Sequence, residues 1–307
     1  MSARIINSIQ SSSSCDERSH RGILNTWRST LSHIVVIDGM NFLHRARSGW
    51  TMGPAPVVFN FMRNFRSIVE QLNPTRVYFV LEGKSVARRE AYDEYKANRV
   101  LEEGSRAALE RAKFFEQSDE IVSVLKSTFP ISVVRHPTHE CDDTIYNLIK
   151  RSTSAVDWTV VSNDTDFIQL LNEFENVRIW NSTKKCYVEK PDYDYVIWKS
   201  LRGDSSDNIP GVPGVGDKTA DSLVKDPHAL REFLCSSNDT AQIFLRNHGL
   251  IKFIEWTDED CLAMTSSTPS KDWMPLQSLF ERYSFGSLLK EGTWNKFIGT
   301  FDSLWGA

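Results

Sequence analysis

Seven acidic side chains fall where a folded chain could set them to work on a phosphate. Asp38 follows the apolar run Ile34–Ile37, and Glu82 follows Val77–Leu81. Glu140, Asp142 and Asp143 sit where a strand near Ile131–Val134 gives way to a helix, and Asp164 and Asp166 follow Trp158–Val161. In an open parallel sheet the carboxyl ends of the strands line one crevice, so acids carried by separate strands converge there. Converging carboxylates repel one another and are costly to bury unpaired. Raised pKa values, basic partners or bound cations relieve that cost. No His or Cys accompanies these acids at ligand spacing, which favours oxygen-preferring Mg2+ or Mn2+ over zinc. Two such ions roughly 3.5–4 Å apart suit phosphodiester hydrolysis, one activating water and the other steadying the leaving oxygen. Taken singly, each acid is more often a helix N-cap or loop residue than a ligand, and Asp142 and Asp143 would favour a helix start through its dipole. The recurrence after four successive strands is what carries the signal.

The elements that must position these acids are legible as alternating strand and helix patterns over the first two thirds of the chain. Val58, Phe61, Met62, Phe65, Ile68, Val69 and Leu72 recur at helical spacing until Asn73-Pro74. Residues 83–120 are charged and helical in composition. Val177–Trp180 and Cys186–Val188 read as a hairpin or edge pair, and beyond Pro191 helical patterns dominate. The expected fold is α/β, a mostly parallel sheet with helices on both faces. Trp158, Trp180 and Trp198 lie in apolar runs and read as core. The apolar runs are too short to span a bilayer, so no membrane is expected. Five scattered cysteines suit a reducing compartment. Residues 1–32 are polar, with Ser11–Ser14, and read as a disordered leader rather than a targeting signal.

Residues 203–220 read GDSSDNIPGVPGVGDKTA. Gly211, Gly214 and Gly216, with two prolines, force a tight turn between helices. Backbone N–H groups of such a turn, with the next helix N-terminus, can approach a phosphate, and Lys218 adds a charge. This stretch resembles the helix-three-turn-helix motif of the 5′ nuclease family, which includes the 5′–3′ exonuclease domain of bacterial DNA polymerase I and the bacteriophage flap endonucleases. Residues 34–41 (IVVIDGMN), 83–99 (GKSVARREAYDEYKANR), 140–143 (ECDD), 162–171 (SNDTDFIQLL) and 279–289 (LFERYSFGSLL) resemble further segments of that family, in the same order.

The resemblance implies a PIN-like nuclease core over 33–190 with a helical arch at about 83–120, and a helical region over 191–307 with its hairpin at about 203–222. It implies a first metal cluster of Asp38, Glu82, Glu140, Asp142 and Asp143, a second of Asp164, Asp166, Asp204 and Asp207, and two ions per site. Lys84 and Arg88 resemble the basic pair that faces the scissile phosphate. The hairpin, through Gly211, Val212, Gly214, Gly216, Lys218 and Thr219, would grip duplex backbone, with K+ held by main-chain carbonyls between Ile209 and Gly216. Two departures stand out: Glu82 occupies a position the family gives to Asp, and Cys141 one it gives to Ala.

The formal charge of −4 runs against the phosphate neutralisation on which DNA binding normally rests. If metal ions neutralise nine carboxylates, the remainder is about +5. Tyr92, Tyr95, Lys96 and Arg99 mix basic groups with aromatic rings, which suits a single strand. His136 and His139 are read as structural or as phosphate contacts at most. The expected activity is metal-dependent 5′–3′ exonuclease or flap endonuclease cleavage of DNA at 5′ flaps, nicks or free 5′ ends, and of RNA–DNA hybrids, by a cytoplasmic monomer. A PIN-type ribonuclease and a non-catalytic branched-DNA-binding protein are the rival readings.

Overall fold

The computed structural model describes residues 32–49, 51, 53–99, 102–153 and 155–304. Apart from Ser32, the expected leader lies outside them. Nine strands are present among the described residues: β1 (Ser32–Asp38), β2 (Arg76–Leu81), β3 (Ser132–Arg135), β4 (Val156–Val161), β5 (Val177–Asn181), β6 (Cys186–Tyr187), β7 (Gly203–Asp204), β8 (Ile209–Pro210) and β9 (Thr265–Ser266). Seven form one sheet in the order β6-β5-β4-β1-β2-β3-β9, while β7 and β8 pair separately. The five central strands run parallel, and β6 and β9 close the two ends antiparallel. From β1 the chain steps outward to β2 and β3, then returns to place β4 on the other side of β1. The switch point is therefore the β1–β4 boundary, where ligands of such sheets bind.

Alternation along β1 explains its unbroken apolar run. Val35 and Ile37 face one core, built with the helix Pro56–Leu72, and Ile34 and Val36 face the other, with Ile145 and Ile149 of the helix Cys141–Lys150. Burying each such side chain contributes roughly 1.5–3 kcal/mol. Trp158 and Trp180 are buried, as expected, whereas Trp198 is half-buried and donates to Asp221 (2.6 Å). No helix among the described residues is long and apolar enough to cross a membrane.

Between β2 and β3 lie the helix Val86–Ala91, a 3-10 turn at Ala97–Arg99 and the long helix Arg106–Thr128. The hairpin stretch lies between the helices Tyr195–Arg202 and Asp217–Lys225, packed with Phe244 around Leu201, Val212, Ala220 and Leu223. Residues beyond it return to the sheet. β9 joins its edge, and Leu276, Phe280, Phe297 and Phe301 enter the core of the helix Pro56–Leu72, with Phe301 4.8 Å from Phe129 between ring centroids.

Candidate active site

The first acid group forms where β1, β2 and the helix Cys141–Lys150 end or begin. Asp38 caps the helix Gly39–Ala46, accepting from the Asn41 N–H (3.0 Å), and also accepts from Ser162 Oγ (2.8 Å). The same Ser162 hydroxyl accepts from the Asp164 N–H (3.0 Å), so one side chain ties two acids together across the switch point. Glu82 accepts from the Cys141 N–H (3.2 Å). Gly83 follows without room for a side chain: a Cβ there would lie 2.0 Å from the His136 carbonyl oxygen. That close approach lets the Lys84 N–H reach Pro137 O (3.1 Å) and joins the Glu82 and Glu140 segments.

Electrostatics mark this group as short of positive charge. Burial pushes the Asp38 carboxyl up to about 6 and Glu82 up to about 7, with the charge of Glu140 adding to the second. Asp142 is raised well above the ordinary range by burial, then by Asp164 and Asp38. Burial works against ionised Glu140 too, but Lys96 and Arg88 beside it win and hold it below the usual value.

The second group comes from the β4 loop and the hairpin. Carboxylate oxygens of Asp166, Asp204 and Asp207 lie within 4.8 Å of one another. Asp164 caps the 3-10 turn Thr165–Phe167 through the Asp166 N–H (2.9 Å). Between Asp166 and Asp204 lies Lys199, paired with both, 2.7 Å from Asp204. Burial pushes Asp166 up to about 6 despite that ammonium, whereas in Asp204 Lys199 overcomes burial and lowers the pKa. Glu140, Asp142, Asp166, Asp204 and Asp207 line one small cleft, so the two groups share a floor.

Four expected positions need correction. Arg88 does not face solvent: it is 4% exposed, with its guanidinium held by Asp143 (2.9 Å), Glu140 (3.0 Å) and the Leu250 carbonyl (2.7 Å). Asp143 is correspondingly committed to Arg88 and to the Ile254 N–H (2.8 Å), because a fully buried carboxylate needs such partners; it stands apart from the cation-poor acids. Tyr95 is buried at 3% exposure, and its hydroxyl donates to Glu140 (2.9 Å), so no base can stack on its ring. Val212 is buried, and its N–H is taken by Leu201 O (2.8 Å).

The other expected residues are placed as follows. Lys84 is exposed and makes no ion pair among the described residues. Lys96 pairs with Glu140 and lies 3.6 Å from Asp207, and Arg99 pairs with Asp207. Tyr92 is half-buried beneath the Arg246 guanidinium, 4.7 Å from its ring centroid. Gly214, Gly216, Lys218 and Thr219 are exposed at the hairpin tip and the first turn of its second helix, where helix N–H groups lack intrahelical partners. Gly211 instead packs inward, where a Cβ would lie 2.3 Å from the Arg202 carbonyl oxygen. Sequence reasoning missed Lys199, Ser162 and Asn41. The last two lie in stretches quoted for their acids, while Lys199 had only its place five residues before Asp204 to signal it.

His136, His139 and Asp260 also come within metal-ligand distance of one another. His136 Nδ1 accepts from the backbone N–H groups of Thr138 and His139 (both 3.2 Å), which leaves the proton on Nε2 to donate to Asp260 O (2.8 Å). With both nitrogens committed, His136 serves as a fastener for the loop before Glu140.

With this geometry in place, the comparisons with known proteins are specific. A family model described as 5′-3′ exonuclease, N-terminal resolvase-like domain, matches residues 33–197. A second, 5′-3′ exonuclease, C-terminal SAM fold, matches 191–252. The chain belongs to the 5′–3′ exonuclease family. It is 28% identical over 223 residues to a 5′-3′ exonuclease of Bacillus subtilis, covering 66% of this chain and 72% of that one. It is 27% identical over 220 residues to DNA polymerase I of Caldicellulosiruptor bescii, covering 65% of this chain but only 25% of the polymerase. Among solved structures, a bacteriophage T5 flap endonuclease in complex with DNA and metal ions superposes with a TM-score of 0.61 at 18% identity, covering 89% of this chain and 98% of that one. T5 5′-exonuclease with bound zinc gives 0.61 at 19% identity, covering 88% and 98%. At these identities the structural likeness establishes the shared fold.

Proposed function

We propose that this chain is a divalent-metal-dependent nuclease that hydrolyses DNA phosphodiesters near 5′ ends and branch points, leaving 5′-phosphates. The observation that carries this reading is the convergence of acids from two parts of the chain on one cleft at the sheet's switch point. The donor set fits a hard cation: it is all carboxylate, and burial, with neighbouring carboxylates adding to it, raises the pKa values of Asp38, Glu82 and Asp142. Asp38, Glu82, Glu140 and Asp142 would hold one ion, and Asp164, Asp166, Asp204 and Asp207 a second. Mg2+ or Mn2+ bound there would supply an activated water and neutralise phosphate charge. Lys84, exposed and unpaired, would bind the reacting phosphate and stabilise charge on its oxygens. The exposed hairpin tip would hold duplex backbone through first-turn N–H groups and Lys218, with K+ at its carbonyls.

On this reading residues 83–120 arch over a single strand, and the substrates are 5′ flaps, nicks, free 5′ ends and RNA primers on DNA, met by a cytoplasmic monomer in replication or repair. The test is a 5′-labelled flap assay with wild type and Asp164→Asn, with and without Mg2+. Wild type should cut only with the metal, and the variant should still bind flaps while cutting falls steeply. Preferential cutting of single-stranded RNA, or flap binding without cutting at any enzyme concentration, would overturn the proposal.

A further inference from the structure

Outside the acidic cleft, a cavity of about 550 Å³ gathers basic side chains instead. Its walls come from three parts of the chain: the helix Pro56–Leu72, the turn between β5 and β6, and the helices Gly286–Leu289 and Glu291–Gly299. The first supplies Arg63 and Arg66, the second Lys185, and the last the buried Leu288 and Phe297. Arg63 and Lys185 are exposed and make no ion pair among the described residues. The Arg63 guanidinium is steadied by the Phe59 ring, 5.6 Å from its centroid. Arg66 is half-buried and fixed by Thr300 Oγ1 (3.2 Å) and Glu70 (2.7 Å). Glu70 is the one acid on the lining among the described residues, so three cations leave two positive charges in excess.

We propose that this cavity binds a nucleotide, with its phosphate at Arg63, Arg66 and Lys185 and its nucleoside over the floor of Leu288 and Phe297. Guanidinium groups match the spacing of phosphate oxygens, and an ammonium adds a point charge. The volume falls within the roughly 300–1,000 Å³ of small-molecule clefts, well beyond what a bare phosphate fills. The ligand therefore carries a body, and an apolar floor calls for a flat ring rather than a second charged group. Glu70 supplies an acceptor for a sugar hydroxyl. This cavity shares no lining residue with the acidic cleft, so the inference goes beyond the proposed function and does not rest on it. A bound nucleotide would tie the C-terminal helices and the β5–β6 turn to the helix Pro56–Leu72, and a ligand held only by the folded chain raises its melting temperature.

The test is calorimetric titration of the full chain, without divalent metal, with 5′-AMP, adenosine and inorganic phosphate in turn. 5′-AMP should bind at one site per chain and raise the melting temperature. Adenosine and phosphate should each bind at least roughly tenfold more weakly, since each makes only part of the contacts. Arg63→Ala and Lys185→Ala should each weaken 5′-AMP by roughly tenfold, the effect of losing one charged hydrogen-bond donor. Both side chains are exposed, so these variants should melt as wild type does. Lys84→Ala should leave 5′-AMP binding unchanged. Binding that is lost in Lys84→Ala and kept in Arg63→Ala would put the nucleotide in the acidic cleft and overturn the inference. Displacement of 5′-AMP by a short DNA duplex would assign the three cations to a DNA strand and overturn it too, as would no binding at millimolar 5′-AMP.

Discussion

Within one cleft, the acids delivered by the sheet and the acids delivered by the hairpin side follow opposite electrostatic rules. Asp38 is buried and Glu82 and Asp142 half-buried, none makes an ion pair among the described residues, and desolvation raises their pKa values. Asp204 is held ionised by Lys199, below the ordinary carboxylate range. The sheet side is rigidly anchored, with Asp38 capping a helix and bound to Ser162, whose hydroxyl also holds Asp164. The difference teaches that a shared cleft does not make equivalent carboxylates. One half carries acids without an ion-pair partner among the described residues, and the other brings its own ammonium, Lys199.

The largest effect comes from removing the buried cation that holds Glu140 and Asp143 on the sheet side. Arg88→Met should cost about 3–5 kcal/mol in urea unfolding, because it strands Asp143 without its buried partner. Adding Asp143→Leu should recover a large part of that loss, and failure to recover it would mean the pair is not the cause. Next in size, Asp142→Asn should reduce flap cutting by roughly 10²–10³-fold, the effect of losing one preorganised electrostatic group. The same change should leave the metal-free protein at least as stable as wild type, since it removes a carboxylate that burial already disfavours. A fall in both activity and stability would point to a structural role instead. Asp204→Asn should cost less activity, because its group already carries Lys199.

The smallest effect is the dependence of stability on pH, which separates the halves without mutation. Asp38 and Glu82 have raised folded pKa values, about 6 and about 7, so they favour the fold while protonated. That contribution is present near pH 4 and is lost as pH rises through 6 and 7. Glu140 and Asp204 are lowered, so their stabilisation is already complete above pH 5 and flat from there. The metal-free protein should therefore melt a few degrees lower at pH 8 than at pH 5, and Mg2+ should raise the melting temperature at pH 8 far more than at pH 5. Equal Mg2+ shifts at both values would contradict the assignment of Asp38 and Glu82 to a cation-seeking group.

Much of this site was readable before any coordinates because parallel strands end together. Asp38, Glu82 and Asp164 each follow an apolar run, and the sheet brings them to one end. The helix cap reading of Asp38 holds, with one oxygen accepting from the Asn41 N–H and the other from Ser162. What stayed hidden depends on distant partners. Nothing near Arg88 or Asp143 announces that Leu250 and Ile254 will complete their shell, more than a hundred residues away. Lys199 hides for a related reason, sitting in a helix whose apolar face dominates its pattern. β9 escaped notice because two polar residues, Thr265 and Ser266, carry no strand signal of their own.

That short strand has a consequence for how copies of the chain meet. With β6 and β9 each only two residues long and antiparallel to their neighbours, the sheet's flanks offer no extended ladder of free backbone groups. A strand from another molecule would find almost nothing to zip onto, so the sheet is guarded against lateral polymerisation by the stubby ribbons that terminate it.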